Sequence, residues 1–123
     1  MGNINLTLTR GDSHTFGLTL TNKSDGSVRD ITGWTFYLTI KSNITDLDSA
    51  AVLQKVVTSH IDPTNGKTTI GIVPTDTFNI EPGDYFYDIQ ALTNLNNVYT
   101  IAKGTMSIEW DATRVYGTAG TGA

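Results

Sequence analysis

The stretch that decides the fold is Glu81-Pro82-Gly83-Asp84-Tyr85-Phe86-Tyr87-Asp88-Ile89-Gln90. It begins with a Pro-Gly turn. In its second half, large apolar or aromatic side chains recur at every second position, which is typical of a β-strand. One face of the predicted strand carries Tyr85, Tyr87 and Ile89, and the other carries Phe86, Asp88 and Gln90. The stretch therefore predicts a sharp turn followed by a strand.

Further strands are predicted on both sides of this stretch. The clearest runs over residues 34–41, where Trp34, Phe36, Leu38 and Ile40 share one face. Others are predicted at residues 4–9, 14–21, 52–58, 68–73 and 98–110. The last of these is expected to bend or bulge at Lys103-Gly104. Residues 43–51 are the one segment expected to be helical, over one or two turns.

Seven or eight short strands separated by turn dipeptides such as Asn65-Gly66 predict an all-β protein. The expected arrangement is a two-sheet antiparallel sandwich, with a barrel as the alternative. A chain of 123 residues fits one domain, expected to span residues 1–114 and to be followed by a small-residue tail at 115–123. Because cysteine is absent, disulfide bridges and thiolate metal sites are excluded.

The turn and its strand favour an immunoglobulin-like form of the sandwich. In that fold a Tyr near the start of the sixth strand bonds back to the upstream backbone, and a Trp on the third strand packs in the core. Tyr85 has the corner position here, and Tyr87 stands where a disulfide-bonded domain has its second Cys. Phe16 or Leu18 would replace the first Cys. The predicted structural core includes Trp34, Phe36, Tyr85 and Tyr87.

Charge and hydropathy exclude two classes of partner. The net charge is −4 and the lysines are dispersed, so no basic patch is available to bind nucleic-acid phosphates. No apolar run is long enough to cross a membrane, and no secretory leader is recognisable. The chain is therefore expected to be a soluble protein made in a cytoplasm, with neither nucleic acid nor membrane as a partner.

Candidate catalytic and metal-binding residues are sparse. The only histidines, His14 and His60, lie at the edges of different predicted strands, and no Gly-x-Ser-x-Gly nucleophile motif occurs. Turn chemistry explains the Asp- and Asn-rich loops at residues 46–48 and 62–65, with calcium as the lesser interpretation. Glu81, Asp84 and Asp88 are interpreted as scaffold. The sequence predicts a non-enzyme without catalytic, cofactor-binding or metal-binding residues.

Four motifs carry a resemblance to a known family. They are Asp30-Ile31-Thr32-Gly33-Trp34-Thr35-Phe36, Asp62-Pro63-Thr64-Asn65-Gly66-Lys67, Pro74-Thr75-Asp76-Thr77 and the stretch from Glu81 to Gln90. Together they resemble small bacteriophage virion domains with an immunoglobulin-like β-sandwich. This family includes the N-terminal domain of the siphophage upper baseplate protein and stand-alone tail or baseplate proteins. The resemblance extends from about Leu6 to Trp110.

The resemblance implies a non-enzymatic virion building block, assembled in the host cytoplasm. The expected role is an adaptor or hub subunit of the tail, baseplate or fibre assembly. The expected partners are other virion proteins and further copies of the chain. A capsid decoration protein is the alternative. A carbohydrate-binding module, with Trp110 as its stacking platform, is a third interpretation.

The predicted interface residues are outward-facing aromatics and the two ends of the chain. Exposed aromatic side chains commonly mark partner sites, and residues 1–8 and 111–123 are expected to contact other subunits. The candidates are Ile4, Leu6, Tyr37, Phe86, Trp110, Arg114, Val115 and Tyr116.

Overall fold

The computed structural model describes residues 4–43 and 45–110. Arg114, Val115, Tyr116 and the predicted tail lie outside the described residues. Within these residues the chain forms seven strands: β1 (Leu6–Thr9), β2 (His14–Thr19), β3 (Thr35–Lys41), β4 (Leu53–Val57), β5 (Lys67–Ile72), β6 (Gly83–Leu92) and β7 (Val98–Glu109). Short 3-10 turns at Asp48–Ala50 and Pro63–Asn65 and a single α-helical turn, α1 (Pro74–Thr77), complete it. The all-β prediction is confirmed, including a helical turn between residues 43 and 51.

Two sheets face one another across the core. A curled five-stranded sheet has the order β1-β7-β6-β3-β4, and β2 pairs with β5 in the second sheet. The predicted strand β6 lies at the centre of the larger sheet, between β3 and β7. Its alternation follows the sequence pattern, because Tyr85, Tyr87 and Ile89 are buried while Phe86 is exposed.

The sandwich is not wholly antiparallel, contrary to the prediction. β1 pairs in parallel with β7, with Leu6 opposite Met106 and Thr9 opposite Glu109. After β1 the chain turns, with Asp12 N donating to Thr9 O at 3.1 Å, and enters β2 in the other sheet. Because β1 does not form a hairpin with its sequence neighbour, its alternating pattern could not reveal its direction in the sheet.

The core lies between the inner faces of the sheets. β3 contributes Phe36, Leu38 and Ile40, β5 contributes Ile70 and Ile72, and all five are almost fully buried. The segments that connect the two sheets are held together by polar contacts. Gly11 N, for example, donates to the buried Thr77 hydroxyl of α1 at 2.8 Å.

The predicted bulge at Lys103-Gly104 is misplaced. The pairing shifts where Ile89 faces Ala102 and Gln90 faces Thr100, so the extra residue on β7 is Ile101. Gly104 pairs regularly with Tyr87. Glycine is needed at position 104 for another reason, because a Cβ there would overlap the backbone carbonyl of Ile4. A strand glycine marks either a bulge or a close backbone approach, and here it marks the second.

Candidate functional site

The side chains that point away from the core form the outer face of the five-stranded sheet. On β3 these are Tyr37, Thr39 and Lys41, and on β6 they are Phe86, Asp88 and Gln90. The register places Thr39 opposite Asp88 and Tyr37 opposite Gln90. Side chains opposite one another on neighbouring strands lie close enough to interact. The outer face therefore joins two aromatic side chains and several polar ones into one surface.

This surface is concave. It encloses a pocket of about 500 Å³, within the range of roughly 300–1,000 Å³ found for small-molecule sites. Its lining includes Tyr37, Thr39, Gln54, Phe86, Asp88 and Gln90. The bulge at Ile101 lies across from Gln90, and a bulge increases the local twist of a sheet. A backbone irregularity that increases sheet twist therefore lies beside the pocket.

Several polar groups of the pocket are held in place by the chain. Gln54 Nε2 on β4 donates to Thr39 Oγ1 at 3.0 Å. At one end of the pocket, Lys41 Nζ lies 2.9 Å from Asp48 Oδ1 and donates to Asp46 O at 2.7 Å. The 3-10 turn that carries Asp48 is therefore tied to the sheet and forms a wall of the pocket.

Asp88 and Gln90 place a carboxylate and an amide in the pocket that no hydrogen bond within the described residues satisfies. Within residues 4–43 and 45–110, neither the Asp88 carboxylate nor the Gln90 amide has a hydrogen-bond partner. Burial raises the pKa of Asp88 above its ordinary 3.8, with Asp48 acting in the same direction and Lys41 and Lys103 opposing. A partly buried carboxylate that the chain itself does not satisfy is a candidate to bind a ligand.

Replacing Asp88 with asparagine is expected to stabilise the domain at neutral pH. Because the folded-state pKa is raised, ionisation of Asp88 costs free energy in the folded state only. That cost is absent below the unfolded pKa of 3.8, grows as the pH rises through the folded pKa, and is constant above it. The Tm of Asp88→Asn should therefore exceed that of the wild type at pH 7, and the difference should shrink at about pH 3.

Asp30 provides the matched control for this substitution. Hydrogen bonds from the Thr32 hydroxyl and backbone lower the pKa of Asp30. Its carboxylate therefore stabilises the fold when ionised, and Asp30→Asn should lower the Tm at pH 7. If Asp88→Asn lowered the Tm at pH 7 as well, Asp88 would be a stabilising scaffold residue, as the sequence suggested.

The predicted interface residues do not form one cluster. Tyr37 and Phe86 line the pocket. Ile4 is 49% exposed and Leu6 is packed against the core, both near the β1 edge. Trp110 is 59% exposed, and the Arg10 guanidinium lies 4.8 Å from its ring centroid. One face of the Trp110 ring is thus already occupied, which weakens it as a sugar platform.

The residues predicted as core are all buried: Trp34, Phe36, Tyr85 and Tyr87. The Tyr85 hydroxyl donates to the Glu81 carbonyl, closing the turn at Pro82-Gly83. The Tyr87 hydroxyl donates to Ile4 O at 2.7 Å, so it holds the N-terminal segment over Gly104. Tyr87 therefore anchors the chain end that lies across β7, a role that sequence reasoning did not assign to it.

The two histidines lie in different surroundings. His60 Nε2 lies 2.7 Å from Trp34 O and Nδ1 lies 2.8 Å from Thr68 Oγ1. Since a carbonyl only accepts, Nε2 donates to Trp34 O, and in the neutral ring Nδ1 then accepts from the Thr68 hydroxyl. His14 is exposed and contacts Phe16. Both ring nitrogens of His60 are thus used to connect the segment before β3 to β5.

Two kinds of feature are absent from the described part of the chain. No cluster of three or more His, Asp or Glu side chains there is placed to hold a metal ion. No helix in it has the length and hydropathy of a membrane span.

Comparisons with known proteins identify no family. No family model and no curated protein matches the sequence. The fold is similar to the N-terminal domain of phage TP901-1 ORF48, with 10% identity and a TM-score of 0.49 over 89% of this chain and 90% of that one. It is also similar to the PmoD soluble domain of Methylocystis sp. ATCC 49242 (Rockwell), with 10% identity and a TM-score of 0.46 over 83% and 76% of the chains. Similarities of this size do not identify a function.

Proposed function

We propose that the chain is a non-catalytic structural subunit of a bacteriophage virion, acting as an adaptor or hub in the tail, baseplate or fibre assembly. The observation that carries the proposal is the resemblance of four turn-and-strand motifs, from Asp30 to Gln90, to small phage virion domains. In the fold these motifs lie at the entry to β3, the turn before β5, the helical turn α1 and the start of β6.

The proposal includes an immunoglobulin-like topology for the sandwich. In variable-type immunoglobulin domains the sheet that contains strands G, F and C is extended by C′, while B and E belong to the facing sheet. The order β7-β6-β3-β4 against β2-β5 corresponds to this arrangement. The bond from Tyr85 to the Glu81 carbonyl and the buried Trp34 also correspond to features of such domains.

The edges of both sheets offer surfaces for assembly. β1 and β4 are the edge strands of the larger sheet, and in the two-stranded sheet both β2 and β5 have an edge without a neighbouring strand within the described residues. Free strand edges can pair with a strand of another subunit. Symmetric repetition of such contacts would provide avidity without a tight single contact. We therefore propose a homo-oligomer that also contacts other virion proteins, with capsid decoration as the alternative location.

Removal of residues 115–123 is expected to leave the domain folded and to weaken its assembly into particles. These residues follow the last described strand, and the proposal assigns them to contacts between subunits. The Tm of the truncated chain should stay within about 2 °C of the wild type, because the buried core residues all precede residue 110. Its copy number in purified particles, measured by quantitative mass spectrometry, should fall several-fold.

A chain with residues 115–123 replaced by a Gly-Ser sequence of equal length is the matched control. If specific side chains of residues 115–123 make the contacts, the copy number of this control in particles should fall as much as that of the truncated chain. Unchanged incorporation of both variants would refute the assignment of the tail to the interface.

A further inference from the structure

We propose that the concave outer-face pocket binds a neutral saccharide, with Tyr37 and Phe86 as apolar platforms and Gln54, Asp88 and Gln90 as hydrogen-bonding groups. This inference goes beyond the proposed virion role and does not depend on it, since it concerns a site on the isolated domain. It also moves the candidate sugar site away from Trp110, whose ring is in contact with Arg10.

The order of the side chains across the sheet suits such a ligand. One row runs from Gln54 through Thr39 and Asp88 to Lys103, each opposite the next on neighbouring strands. Tyr37 lies two residues before this row on β3, and Phe86 lies two residues before it on β6, which runs the opposite way. Tyr37 and Phe86 therefore lie on opposite sides of this polar row, separated by four residues or about 13 Å along the strands, at about 3.3 Å per residue. Apolar surfaces at both ends of a polar floor suit an extended ligand with alternating apolar and hydroxyl-bearing surfaces.

The pocket also has hydrogen-bonding capacity that the protein leaves unused. A side-chain amide offers two donors and an acceptor, and an ionised carboxylate offers only acceptors. Asp88 and Gln90 have no hydrogen-bond partner within the described residues, so their capacity is available to a ligand. Vicinal sugar hydroxyls donate and accept together, so they can satisfy a neighbouring carboxylate and amide at the same time. The C–H face of a pyranose ring can pack on Tyr37 or Phe86, where aromatic surface is available.

The charges around the pocket are balanced, which favours a neutral ligand. Asp48 and Asp88 contribute two negative charges around the pocket, and Lys41 and Lys103 contribute two positive ones. An anionic or cationic ligand would gain little from this balanced set, because each attractive charge is opposed by a repulsive one. An apolar partner would bury Asp88 and Gln90 without hydrogen bonds, which is unfavourable. A neutral polyhydroxylated ligand avoids both penalties.

The test is binding of the isolated full-length chain to immobilised neutral mono- to tetrasaccharides of glucose, galactose, mannose, rhamnose and N-acetylglucosamine. Sulfated oligosaccharides and oligolysine serve as charged comparison probes. We expect at least one neutral saccharide to bind, and Tyr37→Ala and Asp88→Asn each to weaken its Kd by at least about tenfold. Trp110→Ala, outside the pocket, should leave binding unchanged. Asp88→Asn keeps the shape of the side chain and guards against loss of the fold, which circular dichroism checks.

Three results would overturn the proposal. They are binding to no neutral saccharide, binding that survives both pocket substitutions, and preferential binding to the charged probes. Loss of binding in Trp110→Ala alone would show that the saccharide binds at the Trp110 ring and not in the pocket. None of these results bears on incorporation into particles, so the saccharide site and the virion role fail separately.

Discussion

Phe36→Ala is expected to lower the free energy of unfolding by about 3–5 kcal/mol. Phe36 is fully buried on the inner face of β3. Its ring lies 6.2 Å from that of Trp34 and packs edge-on against His60 at 5.3 Å between centroids. Truncation would remove these contacts and leave a cavity between the sheets, because His60 is held by two hydrogen bonds and cannot move into the space.

Phe86→Ala is the matched control, since it removes the same side chain from the opposite face of the sheet. Phe86 is 39% exposed on the outer face of β6, and its truncation should cost less than about 1 kcal/mol. Urea unfolding curves with equal m-values would give both differences. Equal losses in the two variants would contradict the division of the sheet into a packed inner face and a more exposed outer face.

Gly104→Ala is expected to destabilise the domain by about 2–3 kcal/mol, since the added Cβ overlaps the Ile4 carbonyl. The obstacle is backbone, which cannot rotate away as the end of a side chain can. The segment at Ile4 is also held from two sides, because Ile4 N donates a hydrogen bond to Lys103 O at 2.8 Å and Ile4 O accepts one from the Tyr87 hydroxyl. Relief of the overlap therefore requires the N-terminal segment to leave β7.

Gly71→Ala is the control for Gly104→Ala. Gly71 is also a strand glycine, but a Cβ there meets nothing within 4 Å, so the substitution should change stability by less than about 0.5 kcal/mol. Hydrogen exchange provides a second readout, because the amides of β1 should exchange faster in Gly104→Ala only. A Gly104→Ala protein as stable as Gly71→Ala, with unchanged exchange in β1, would contradict the anchoring of the N-terminal segment.

Local patterns in the sequence were sufficient to predict individual strands. The alternation through Tyr85, Tyr87 and Ile89 reflects burial on one face of β6. The dipeptide Asn65-Gly66 predicts a turn, and in the structure Gly66 ends that turn with a φ of 73°. Such features depend on neighbouring residues only. The parallel pairing of β1 and the position of the bulge depend on which distant strands meet. For Gly104, the sequence indicated an irregularity but could not show that the cause is Ile4.

The candidate site was predictable only in part, for the same reason. Tyr37 and Phe86 could be found as outward-facing aromatics because each belongs to an alternating strand. The polar row could not be found from the sequence, because only the pairing register shows that Gln54, Thr39 and Asp88 lie side by side on three strands. Asp88 was interpreted as scaffold, since neither its burial nor its lack of a partner is visible in sequence.

The most direct test of the virion assignment is to locate the chain in purified phage particles. If the proposed function holds, antibody-gold labelling of purified phage particles should place the chain on the tail, baseplate or fibre, at several symmetry-related positions. Labelling confined to the capsid shell would support the decoration alternative over the tail role. Particles that contain no copies of the chain, by labelling and by mass spectrometry, would contradict the proposed function.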